Sequence, residues 1–125
     1  IFGDGETSRD FCPVANVVQA NLRAALASPD DRGEVYNVAL GGRSSLRQLF
    51  AELTFALAER GVQDLPDGPE FSDFRPGDVR HSHADISRAR ADLGYEPDVD
   101  FAAGVGRVVD WALTLNQTTW PPQSS

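Results

Sequence analysis

The chain has 125 residues, with 11 basic against 19 acidic side chains and a formal net charge of −8 at neutral pH. That balance argues against nucleic acid and anionic membrane as partners, and no apolar run approaches the roughly 20 residues that span a bilayer. Cys12 is the single cysteine, so no internal disulfide can form, and one soluble, cytoplasmic domain in a reducing compartment is the expectation.

Ile1-Phe2-Gly3-Asp4-Gly5 reads as the end of a strand entering a turn, so we expect the segment to belong to a longer protein. Ser8 to Cys12 alternates polar and apolar residues like a half-buried strand, which would place Arg9 and Phe11 on the same face. Cys12, between Phe11 and Pro13, reads as a small buried hydrophobe rather than a nucleophile. Pro13 suits the first turn of a helix. The helix runs from about Val14 to Ala27, with Val14, Val17, Val18, Leu22, Ala25 and Leu26 as its apolar stripe. Asn16, Gln19 and Asn21 fall on the polar face, and Ser28-Pro29-Asp30-Asp31 is the stop signal.

Val35 to Leu40 is a short apolar run of the kind found in a strand covered on both faces. Ser45, with Gln48 three residues on, matches a capping box and opens a helix whose stripe is Leu46, Leu49, Phe50, Leu53, Leu57 and Ala58, closed by Gly61. Glu70 to Phe74 is extended. Asp85 caps a short helix over Ile86–Leu93 that Gly94 ends, and a last helix covers Phe101 to Leu115 with Val105, Val108, Val109, Trp111, Ala112 and Leu115 at helical spacing. Trp111 reads as a core or interface residue, and residues 118–125 as a frayed tail. Few short strands and longer helices make this a small mixed α/β or α+β unit.

The chemistry concentrates in Phe74-Arg75-Pro76-Gly77-Asp78-Val79-Arg80-His81-Ser82. Pro76 and Gly77 suit the two central positions of a type II turn, which puts Arg75 and Asp78 at its ends. A guanidinium fork suits phosphate, and a carboxylate accepts from neighbouring hydroxyls, so the pair suits a phosphorylated sugar or a nucleotide. The alternative is that Arg75 and Asp78 bond to each other across a surface turn. His81 reads as structural and His83 as solvated. No thiol or acidic partners accompany them, so no metal site is expected.

Two motifs stand in order, Gly3-Asp4-Gly5-Glu6-Thr7-Ser8-Arg9-Asp10-Phe11 and Arg75-Pro76-Gly77-Asp78-Val79-Arg80-His81-Ser82. Between and after them lie Asn16-Val17-Val18-Gln19-Ala20, Val35-Tyr36-Asn37-Val38, Ala84-Asp85-Ile86-Ser87 and Leu93-Gly94-Tyr95. The set resembles the C-terminal, substrate-binding portion of the NAD-dependent epimerase/dehydratase family, the extended short-chain dehydrogenases. Within that family it is most similar to UDP-N-acetylglucosamine and UDP-glucose 4-epimerases. The resemblance implies that Arg9 and Arg75 contact the diphosphate of a UDP-sugar, that Phe11 lies beside the ribose or uridine, and that Asp78 accepts the ribose hydroxyls. It implies a domain over residues 1–117, a partner N-terminal Rossmann domain that holds NAD, and a homodimeric parent.

The family also uses a Gly-rich cofactor fingerprint and a Ser/Thr with a Tyr-x-x-x-Lys arrangement. Gly41-Gly42 lacks the fingerprint spacing, the chain has no lysine, and Tyr36 and Tyr95 are outside any such setting. The catalytic groups are therefore expected elsewhere, and the segment alone to be catalytically incompetent. Pro13 and Ala15 depart from the family pattern, which tends to an aromatic or aliphatic residue and an acidic one. Two rivals remain: a dehydratase, decarboxylase or reductase acting on another nucleotide sugar, and a stand-alone noncatalytic nucleotide-binding module.

Overall fold

A computed structural model describes residues 1–27 and 33–115. The expected helix stop from Ser28 to Asp31 and the tail at 118–125 lie outside the described residues. The elements are β1 (Ser8–Arg9), α1 (Val14–Leu26), β2 (Ser44–Ser45), α2 (Leu46–Glu59), α3 (Ser87–Leu93) and α4 (Phe101–Leu115). Strands β1 and β2 pair antiparallel, Ser8 opposite Ser45 and Arg9 opposite Ser44. Isolated parallel bridges join Phe2 to Ser72 and Ser8 to His81. Residues 70–82 thus run beside the amino-terminal segment, and Ser8 is held from both sides.

Local signals account for most of the helix ends. The capping box at α2 is complete: the Gln48 N–H donates to Ser45 Oγ at 3.1 Å and the Ser45 N–H to Gln48 Oε1 at 2.7 Å. Asp85 Oδ1 accepts from the Ser87 N–H at 2.9 Å, so α3 starts one residue later than the sequence predicts, with Ile86 buried at its N-cap. Gly94 ends α3 in the left-handed conformation.

Among the described residues, two apolar clusters form the core. Ala56, Val105 and Val109 join α2 to α4, with Leu49, Leu53, Leu57, Phe101 and Leu113 packed around them. Arg60 closes the far end of this pair, its Nε and Nη2 donating to the Asp110 carboxylate at 2.5 and 3.0 Å. Ala20, Ala39, Ile86, Ala89 and Tyr95 form the second cluster, under α1 and α3.

Two expectations are overturned. Asn16, expected on the polar face of α1, is buried with Ala20, while Val14, Val18, Leu22 and Leu26 of the apolar stripe are 76%, 52%, 62% and 88% exposed. Asn16 explains the reversal. Its Nδ2 donates to the Val99 carbonyl at 2.7 Å and its Oδ1 accepts from the Asp98 and Val99 N–H groups, each at 3.0 Å. The helix is thereby locked onto the 95–100 segment by its polar side. Nor does Val35 to Leu40 enter a ladder with any described residue. It is covered on one face only: Tyr36, Val38 and Ala39 turn into the second cluster and Val35 is 80% exposed.

Truncation of Asn16 strands two N–H groups and a carbonyl in a dry site, each group worth about 1–3 kcal/mol when left unpaired. Asn16→Ala is expected to lower unfolding free energy by about 2–4 kcal/mol in a urea titration. A shift below about 0.5 kcal/mol, the range of ordinary surface substitutions, would contradict the assignment.

Candidate functional site: a paired arginine beside a Pro-Gly turn

The Pro76-Gly77 turn forms as its residue types dictate. Gly77 has φ +80° with open space around the Cβ position, and the Asp78 N–H closes the turn on the Arg75 carbonyl at 3.2 Å. Positive φ is the conformation that a type II turn demands at its third position, which Gly adopts without steric penalty.

Arg75 and Asp78 do not bond side chain to side chain. Asp78 Oδ1 instead accepts from Arg9 Nη2 at 2.6 Å, across 69 residues of sequence. Arg9 Nη1 donates to the Ser8 and Arg80 carbonyls at 2.8 and 3.4 Å, so three acceptors set the plane of its guanidinium. Arg75 stacks on Phe2, its Cζ 3.7 Å from the ring centroid. Stacking fixes the face of a guanidinium and leaves its N–H edge available. Among the described residues that edge has no carboxylate, and Asp78 Oδ2 has no donor.

The neighbouring cations Arg80 and Arg47 are paired off. Arg80 Nη2 meets Asp4 Oδ2 at 2.5 Å, and Arg47 Nε meets Glu6 at 3.1 Å. The Arg80 guanidinium holds the Asp4 carboxyl below the usual carboxylate range. Arg9, Arg75 and Asp78 therefore share one neighbourhood in which a stacked cation edge and a half-used carboxylate both face solvent. Chemically, such a cation edge can donate to anionic oxygens, and such a carboxylate can accept from hydroxyls.

The Phe11 ring centroid is 5.7 Å from that of Phe101, and Phe11 lines an open apolar groove of about 590 Å³ with Asp10, Leu49, Leu53, Val105 and Val108. The expected strand from Ser8 to Cys12 is shorter than its alternation predicts because β1 ends at Arg9. Asp10 takes over from the ladder: its Oδ1 accepts from the Leu40 N–H at 2.9 Å, and its Oδ2 from the Gly41 and Gly42 N–H groups at 2.9 and 3.2 Å.

His81 Nδ1 lies 2.9 Å from Ser8 Oγ, a structural contact that braces β1. His83, exposed as expected, also reaches the Gly41 carbonyl at 3.1 Å through Nε2. Among the described residues no group of three His, Cys, Asp or Glu side chains is arranged to hold a metal. Three residues that matter here, Asp10, Asn16 and Tyr95, stand within the family motifs, but nothing local in the sequence assigns their contacts. Tyr95 is 1% exposed and donates its hydroxyl proton to the Ala39 carbonyl at 2.8 Å, tying the 36–42 segment down.

Known proteins share this arrangement of elements. The family profile for GDP-mannose 4,6 dehydratase matches residues 1–108. A UDP-glucose 4-epimerase of Mycolicibacterium smegmatis is 39% identical over 117 residues, covering 94% of this chain and 35% of that protein. The crystal structure of UDP-glucose 4-epimerase with UDP-glucose from Thermotoga maritima superposes with a TM-score of 0.79 at 34% identity, over 93% of this chain and 35% of that one. UDP-glucuronic acid 4-epimerase from Bacillus cereus, in complex with UDP-glucuronic acid and NAD, gives 0.80 at 26% identity, over 92% and 35%. The class is that of the nucleotide-sugar epimerases and dehydratases, the extended short-chain dehydrogenases. Within it, the chain belongs to the GDP-mannose 4,6 dehydratase family, as a small mixed α/β unit that corresponds to the C-terminal portion of those enzymes. It spans about 35% of the length of these relatives.

Among the described residues, the Gly41-Gly42 loop does not fit a dinucleotide cofactor. The Gly41 and Gly42 N–H groups, the donors that a phosphate cradle would need, already serve the Asp10 carboxylate.

Burial pushes the Tyr95 phenol up to about 12, with Cys12 and its neighbours adding to the effect. In the unfolded chain a tyrosine ionises near pH 10. Between those values the unfolded state loses its proton first, so stability falls as pH rises from about 10 to about 12. Denaturation midpoints across that range should decline, and Tyr95→Phe should flatten the decline. An equal slope in the variant would assign the alkaline loss to other groups.

Proposed function

We propose that this chain is the UDP-sugar-binding part of an NAD-dependent UDP-sugar 4-epimerase, which interconverts UDP-glucose and UDP-galactose or their N-acetyl counterparts. The observation that carries the reading is the Arg9–Asp78 contact at 2.6 Å. It brings the Arg-Asp-Phe segment against the Arg75–Asp78 turn, so that two guanidinium groups and one ribose-reading carboxylate serve a single ligand. Arg9 and Arg75 take the diphosphate, Asp78 the ribose hydroxyls, and Phe11 the nucleoside. Identity to UDP-glucose 4-epimerases across nearly the whole chain supports UDP as the nucleotide.

The division of labour has a physical rationale. Binding energy gathered on the nucleotide, away from the reacting carbon, holds the sugar in place while groups elsewhere act on it. The residues here bind and orient. NAD and the acid/base groups belong to an N-terminal Rossmann domain, and residues 1–117 dock against it. The exposed apolar residues of α1 and α4, among them Val18, Leu22, Val108 and Trp111, supply the surface for that contact. The whole protein, acting as a homodimer in the cytoplasm, would contain both parts.

A second reading, a 4,6-dehydratase acting on another nucleotide sugar, is favoured by the family profile and by a dTDP-glucose 4,6-dehydratase of Xanthomonas campestris at 36% identity. Product analysis with UDP-, dTDP- and GDP-sugars separates the two, since the dehydratase yields a 4-keto-6-deoxy sugar and the epimerase an isomer.

Each charge-assisted contact to diphosphate contributes roughly 1.5–3 kcal/mol. In the full-length protein, Arg75→Ala and Arg9→Ala are each expected to weaken UDP binding by that amount in calorimetric titrations. Wild-type affinity in both variants would overturn the assignment.

A further inference from the structure

We propose that Asp10 is a positioning residue for Arg9, acting through a backbone nest formed by Leu40, Gly41 and Gly42. The inference rests on the nucleotide-binding role of Arg9 given above and goes beyond it by naming what sets the direction of that side chain. Three consecutive N–H groups converge on the two Asp10 oxygens at 2.9, 2.9 and 3.2 Å. Such convergence is how a nest holds an anion, and here the anion belongs to the protein itself.

The nest is rigid for identifiable reasons. Gly41 has φ +75°, and a Cβ there would stand 3.1 Å from Cδ1 of the buried Ile86. Tyr95 holds the carbonyl of Ala39, just before the nest, and His83 that of Gly41 within it. Two residues beyond Gly42, β2 pairs with β1. Arg9 is therefore fixed on both sides along the chain: its own backbone lies in the β1–β2 ladder, and the next residue is clamped to the loop that leads into β2. With the backbone held, the guanidinium can reach the Ser8 and Arg80 carbonyls and Asp78 together. Release of Asp10 frees the peptide that follows Arg9 and leaves three N–H groups without their acceptor.

A merely structural carboxylate would affect stability, and would affect every ligand alike. A residue that acts through Arg9 must instead affect the diphosphate selectively. The test measures UDP and uridine affinity by calorimetry in the full-length protein for wild type, Asp10→Asn, Gly41→Ala, Arg9→Ala and the Asp10→Asn/Arg9→Ala double variant. Asp10→Asn retains size and one acceptor, while Gly41→Ala disturbs the nest from the opposite side, so the question does not depend on Asp10→Ala folding.

We expect Asp10→Asn and Gly41→Ala to weaken UDP by about tenfold, the scale of one lost hydrogen bond, with uridine changed less than about twofold. In the Arg9→Ala background the Asp10→Asn effect should vanish, because the two residues act as one unit. If Arg9→Ala weakens UDP while both nest variants bind it as wild type does, or if the Asp10 and Arg9 effects add, the positioning role is overturned and the function stands. If Arg9→Ala itself leaves UDP affinity unchanged, the nucleotide reading fails, and this inference with it.

Discussion

Arg9 and Asp78 are 69 residues apart in the chain and 2.6 Å apart in space, and the rest of the site depends on that contact. Taken alone, an ion pair whose side chains are 29% and 38% exposed contributes little to stability. Its importance is geometric. The contact joins the Arg-Asp-Phe segment to the Pro-Gly turn, while parallel bridges from Phe2 to Ser72 and from Ser8 to His81 keep the two segments side by side. The pair also separates the two cations by how each is held. Arg9 is held by three acceptors, whereas Arg75 keeps its N–H edge open over the face of Phe2.

For an acidic chain to bind an acidic ligand, as proposed above, the electrostatic problem has to be solved locally. A net charge of −8 is a property of the whole molecule, and in physiological salt exposed charges more than about 8 Å apart are largely screened. Near the turn, Asp4 is matched by Arg80, Glu6 by Arg47 and one oxygen of Asp78 by Arg9. What this leaves for a ligand is the unmatched Arg75 edge, the N–H groups of Arg9 beyond the three in use, and the second oxygen of Asp78. Arg75 and Asp78 stand at the two ends of one turn.

Legibility in the sequence followed the range of the interactions. The Ser45 to Gln48 capping box, the Gly94 stop and the Pro76-Gly77 turn were legible because each is decided within four residues. Arg9 and Arg75 were singled out through two motifs and a family resemblance. Their mode of engagement was not legible, since the partner of Asp78 comes from the other end of the chain. Helix α1 misled for a related reason: apolar periodicity marks a face that seeks cover, whereas Asn16, bonded to residues 82 and 83 positions away, decides which face is covered within these residues. Val35 to Leu40 has a strand's composition but meets no neighbouring strand among the described residues. Asp10 reads as an ordinary acidic residue until the 40–42 loop, 30 to 32 positions on, folds over it.

A crystal structure of the full-length protein with UDP bound tests the central claim most directly. It should place diphosphate oxygens about 2.7–2.9 Å from guanidinium nitrogens of both Arg9 and Arg75, with the ribose hydroxyls on Asp78 Oδ2. A UDP molecule ordered elsewhere, with the Arg9–Asp78 pair and the Arg75 edge untouched, would contradict it.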